Sequence, residues 1–133
     1  MQQSNKSSST RVKAIQKLYS TLMNPDEVIN YPKGQYRKFI KDIVTGTIER
    51  KELIEENINN YLADDLNLNK TDNLLKIIIF AAIFELLFKH KNPTKVIISE
   101  YVKASEFFLE NAQIKFLNAI LDKISKKIRN ENN

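Results

Sequence analysis

The sequence predicts an all-α protein, and three observations carry that expectation. Glycine and proline are scarce, 2 and 3 residues in 133, whereas a turn-rich β sandwich needs many. Apolar residues recur at a spacing near 3.6 through most of the chain. The longest apolar run, LLKIIIFAAIFELLF at residues 74–88, passes through a strand-like IIIF but meets no turn residue before Asn92. With 42% hydrophobic and 28% charged residues the composition is that of a folded chain, and 133 residues suit one domain.

The elements follow in order. MQQSNKSSST is polar and serine-rich, so residues 1–9 are expected to form a flexible leader. Ser9 or Thr10 is placed to cap a first helix that turns Val12, Ile15, Leu18, Tyr19 and Leu22 inward. Pro25, Pro32 and Gly34 mark a connection, with one short helical turn expected at 26–30. From Gln35, residues such as Phe39, Ile40, Ile43, Val44, Ile54, Ile58 and Leu62 keep the helical period. They predict one long helix, or two abutting ones, to about residue 62. Gly46 inside it costs about 1 kcal/mol relative to alanine, and a close helix crossing is the expected reason for it.

Residues 63–71 read as a polar loop, with Thr71 or Asp72 as the cap of the next helix. That helix is apolar nearly all round and belongs at the centre of the fold. Lys76 and Glu85 interrupt it and it falls short of the roughly 20 residues of a membrane span, so no membrane partner is expected. Asn92 and Pro93 end it. The following helix starts near Thr94 with Val96, Ile97, Tyr101, Ala104, Phe107 and Phe108 inward. After a break at Glu110 and Asn111 the last helix contains KFLNAILD, residues 115–122. Phe116, Leu117, Ile120, Leu121, Ile124 and Ile128 form its apolar side, and Lys115, Asn118, Asp122, Ser125 and Arg129 the polar one.

The net charge of +5 is unevenly spread: residues 1–41 carry +6, residues 42–88 carry −5 and residues 89–133 carry +4. Basic ends suit a polyanion and an acidic middle suits a basic partner, although solvated helix faces give the same pattern. There is no cysteine, hence no disulfide or thiolate chemistry, and a cytoplasmic setting is expected. The sole histidine, His90, stands at a polar helix end. No glycine-rich phosphate loop, metal-ligand spacing or nucleophile with a base is present. The expectation is a non-enzyme without cofactor or metal. Glu85 and Glu100 lie in apolar surroundings and must either reach the surface or find hydrogen-bond partners. In the first helix Arg11, Lys13 and Lys17, with Lys6 ahead of them, could meet phosphates, while Gln16 reads a base edge and Tyr19 stacks.

Several stretches together resemble the NusB family of transcription antitermination factors. AIQKLYS (14–20) resembles its A-x-Q-x-L-Y signature, with Arg11 in the place of a family arginine. FIKDIVTG (39–46) resembles the pattern of its third helix. IFELLFKHKNPTKVIISEYVKASEFF (83–108) resembles the segment from Y-E-L through P-x-K-V-x-I-N-E, and KFLNAILDKI its closing K-F-V-N-G-V-L-D. Phe80 and Ala119 depart from a common arginine and glycine, and SNKSSST stands where the family often carries an arginine-rich leader.

The resemblance implies a compact fold of about six or seven helices in two small bundles, residues 10–62 and 71–130. It implies a factor that binds boxA RNA of ribosomal RNA leader transcripts together with ribosomal protein S10 (NusE), in an RNA polymerase antitermination complex. Position by position the resemblance marks Arg11, Gln16, Tyr19, Lys115, Phe116 and Asn118, and with Lys6 of the leader and Lys13 of the basic first helix these are the expected RNA-binding residues. Asp122 is expected to orient its neighbours, and the acidic middle to face S10. An S10-binding adaptor without specific RNA recognition, the helical domain of a ribosomal RNA cytosine methyltransferase, and a homodimer are the alternatives the resemblance leaves open.

Overall fold

In the computed structural model residues 6–31 and 33–129 are described, the side chains of 6–9 excepted. Six helices follow one another: α1 (Lys6–Met23), α2 (Arg37–Glu49), α3 (Lys51–Tyr61), α4 (Asn73–Phe88), α5 (Thr94–Ser105) and α6 (Asn111–Ile128), with a 3-10 turn at Leu68–Lys70. No strand occurs among the described residues. Of the expected leader, residues 1–5 lie outside the described residues, whereas 6–9 are already the first turn of α1, so Ser9 and Thr10 are not its cap. Residues 24–30 form turns and irregular chain in place of the expected helical turn.

Local chemistry explains the element boundaries. α2 and α3 abut through the single residue Arg50. The Asp72 carboxylate accepts from the backbone N–H groups of Leu74 and Leu75 at 3.1 and 3.2 Å, satisfying two of the donors a helix start leaves open. At α6 the Glu110 side chain and Gln113 exchange hydrogen bonds with each other's backbone, a capping box.

α4 is the axis of the molecule. Eleven of its 16 residues are buried, and each of the other five helices lies against it. One continuous core draws on all six helices, from Ala14, Ile15 and Leu18 through Ile43, Ile54 and Ile78 to Ile97, Leu117 and Leu121. Gly46 marks the expected close crossing, met here by a side chain: a Cβ built there would overlap the Phe84 ring of α4.

The inward sets differ from expectation at helix margins. Tyr19 and Leu22 are 41% and 46% exposed, because α1 buries Ala14, Ile15 and Leu18 and those two lie past that stripe. Val96 is exposed. Phe107 is 72% exposed, since α5 ends at Ser105 and its register no longer aims that ring inward. In α6 the buried stripe is Leu117, Ile120, Leu121 and Ile124. Phe116 lies at its edge and is 36% exposed.

Candidate nucleic-acid interface

Arg11 occupies a different place from the other expected RNA-binding residues. It is only 4% exposed and Glu85 is fully buried. Its Nε donates to one Glu85 carboxylate oxygen at 2.9 Å and its Nη2 to the other at 2.7 Å. The guanidinium lies between the rings of Phe39 and Tyr101, 5.0 and 5.4 Å from their centroids. One side chain of α1 thereby joins α2, α4 and α5. Burial opposes the charged form of Arg11, but the hydrogen bond and charge of Glu85 outweigh it and raise the pKa, with Glu100 nearby adding to the same effect. Burial, and then the charge of Glu85, raise the Tyr101 phenol well above its ordinary value. The expectation of a phosphate contact at Arg11 is corrected: its donors face a buried carboxylate, which resolves how Glu85 is accommodated. Glu100 is buried as well.

The other expected residues divide between separate surfaces. Lys13 and Gln16 line a cleft of about 450 Å³ between α1 and the chain leading into α2, with Lys17, Lys33, Tyr36 and Arg37. Lys115 and Asn118 line a groove of about 520 Å³ between α5 and α6, with Lys95, Ser99, Lys103 and Asp122. Tyr19 borders a third depression beside Asp72, Phe108 and Glu110. Phe116 is half-exposed at the edge of α6, and the Lys6 side chain lies outside the described residues. α5 touches both α1 and α6.

The α5–α6 groove is basic, with Ile98, Val102 and Ile114 as its apolar lining. Three lysines and two neutral polar side chains face it, and none of those lysines is in an ion pair among the described residues. Its one acid, Asp122, is paired with Lys126 at 3.3 Å. Lys95, Ser99 and Lys103 were absent from the expected site. Their spacing of four residues, one face of a helix, is the signal that could have found them.

Arg129, expected as polar surface, has a structural role that no sequence pattern announces. Its Nε donates to the Leu86 carbonyl at 2.9 Å and Nη1 to Asn92 at 2.7 Å, while Nη2 reaches those of Glu85 and Lys89 at 3.2 and 3.1 Å. The residue that follows α6 thus closes the end of α4: the Leu86 carbonyl is one of those a helix end leaves without a helical partner, whereas that of Glu85 also accepts from the Lys89 N–H.

Residues 2–126 match the NusB family. The chain belongs to the NusB family. Members of that family are transcription antitermination factors and not catalysts. The transcription antitermination protein NusB of Sinorhizobium fredii is 30% identical over 148 aligned positions, covering 98% of this chain and 92% of that protein. Its counterpart in Rickettsia bellii is 34% identical, with 91% and 90% covered. With that of Mesorhizobium japonicum the match is 35% over 94 positions and spans 71% of this chain but 61% of the relative. The solved structure of T. maritima NusB superposes with a TM-score of 0.78 at 22% identity, over 96% of this chain and 94% of that one. The all-helical NusB fold is therefore shared well beyond the level of sequence identity.

Proposed function

We propose that this chain binds boxA RNA of ribosomal RNA leader transcripts together with ribosomal protein S10, and so acts within an RNA polymerase antitermination complex in the cytoplasm. The observation that carries this reading, beside family membership, is the lysine-lined α5–α6 groove holding Lys115 and Asn118. Unpaired lysines meet phosphates, and an exposed amide such as Asn118 can pair with an unstacked base edge. Lys13, Gln16, Tyr19 and Phe116 are exposed and extend the candidate surface with one cation, one amide and two stacking rings. Arg11 leaves that set. S10 is assigned to the acidic middle of the chain, where Glu52, Glu56 and Asp64 are exposed.

The test is a titration of boxA RNA and a scrambled RNA of equal length, with and without S10. Preference for boxA, strengthened by S10, is the expected result. S10 binding with no RNA preference in either arm would leave only a protein adaptor. Lys115→Ala and Asn118→Ala should weaken RNA binding while leaving thermal unfolding within about 0.5 kcal/mol of the parent. Unchanged binding by both variants at low salt would move the recognition surface elsewhere.

A further inference from the structure

The cleft between α1 and residues 33–37 has a composition that packing does not require. It is lined by Lys13, Lys17, Lys33 and Arg37, and by no acidic residue. None of the four cations is in an ion pair among the described residues. Gathering four like charges around about 450 Å³ costs stability through mutual repulsion unless an anion enters.

The Arg37 guanidinium is already oriented, because its Nε donates to the Tyr31 carbonyl at 2.9 Å. That leaves its two terminal nitrogens for another acceptor, the fork that suits a phosphate. Arg37 also opens α2, whose first turn has no side-chain cap, so the positive end of that helix faces the same region. Tyr36 and Gln35 stand at the rim, and the Tyr36 ring is 37% exposed. Tyr31 lines the floor, buried, with a hydroxyl that has no hydrogen-bond partner among the described residues.

We propose that this cleft is a phosphate-binding site for the backbone of single-stranded RNA, distinct from the α5–α6 groove, in which Lys33 and Arg37 hold a phosphate and Tyr36 stacks on the adjoining base. The proposal rests on the RNA-binding reading above. Lys33, Tyr36 and Arg37 lie in none of the segments that resemble family motifs, so the site adds residues to that reading.

The test follows backbone amide shifts by NMR in the full chain with S10 present, using boxA RNA in one arm and inorganic phosphate in the other. RNA should move the amides of Gly34 to Arg37 as well as those around Lys115 and Asn118. In the Lys33→Ala, Arg37→Gln double variant the first set should stay still and the second should still move. The slope of log affinity against log salt should fall by roughly 0.7 for each lost phosphate contact. Lys33→Ala alone removes one exposed cation without touching the Arg37 bond, so it reports even where the double variant unfolds. RNA that moves only the Lys115 and Asn118 amides, with an unchanged salt slope in Lys33→Ala, overturns the proposal. Shifts at 34–37 with inorganic phosphate but not with RNA overturn its RNA assignment. Movement in neither region sinks the RNA-binding reading as well, which keeps the two failures distinct.

Discussion

Arg11 decides between two roles that one sequence cannot separate. A basic residue near the start of a helix, two and six residues before Lys13 and Lys17, reads as a phosphate contact. Its partner Glu85 is 74 positions away, so no local pattern reveals the pairing. Removing one member of a buried pair leaves an uncompensated charge and costs about 3–5 kcal/mol. Arg11→Ala should therefore lower the thermal midpoint sharply, whereas Lys13→Ala leaves it in place. Joint replacement by apolar residues, Arg11→Met with Glu85→Leu, should recover much of the loss. A single variant that melts with the parent would show that the pair does not hold the helices together. Phe116 makes the converse case. A core phenylalanine loses about 3–5 kcal/mol on truncation, but this half-exposed ring should lose about 1 kcal/mol and, on the proposed function, RNA affinity with it. Urea unfolding and RNA titration of Phe116→Ala read the two effects separately.

At the scale of elements the sequence was most legible where a signal is local. The apolar run at 74–88 announced α4, Asp72 announced its cap, and Gly46 announced a crossing, because propensity, capping and steric room are each written in a few adjacent residues. Helix margins were less legible, since the period says which positions share a stripe but not where a neighbouring helix stops covering it. Phe107 and Val96 fit the stripe and still face water. The candidate site divides the same way: periodicity placed Lys115 and Asn118 on the polar side of one helix and the resemblance singled them out, while the groove they share with Lys95 and Lys103 exists only once α5 and α6 are side by side. The crossing at Gly46 has a sharp consequence. Alanine is the better helix former by about 1 kcal/mol, yet Gly46→Ala should destabilise by about 1–3 kcal/mol, because its methyl group overlaps the Phe84 ring. Phe84→Leu in the same chain should return part of that loss in chemical denaturation. A stabilised Gly46→Ala variant would mean that α2 and α4 have room to separate.

On the scale of the whole molecule, charge joins helices remote in sequence. Asp42 of α2 accepts from Lys38 at 3.2 Å and from Lys89, at the end of α4, at 3.3 Å. Partial burial tends to raise the Asp42 pKa, but the two lysines outweigh it and hold it below its ordinary value of 3.8. A depressed carboxylate contributes stability at pH above its unfolded value, and the contribution disappears as pH falls through the folded one. The stability difference between the parent and Asp42→Asn should thus be constant near neutrality and shrink below about pH 4. An unchanging difference down to pH 2 would exclude the linkage. The grip of Arg129 on four carbonyls has a kinetic meaning of its own. Helix termini ordinarily fray, and their amides exchange with solvent through openings of a turn or less. Here the last turn of α4 and the end of α6 share the Arg129 hydrogen bonds, so loosening one removes contacts that hold the other. Deuterium should enter both turns at a common slow rate, and Arg129→Ala should let each exchange on its own schedule.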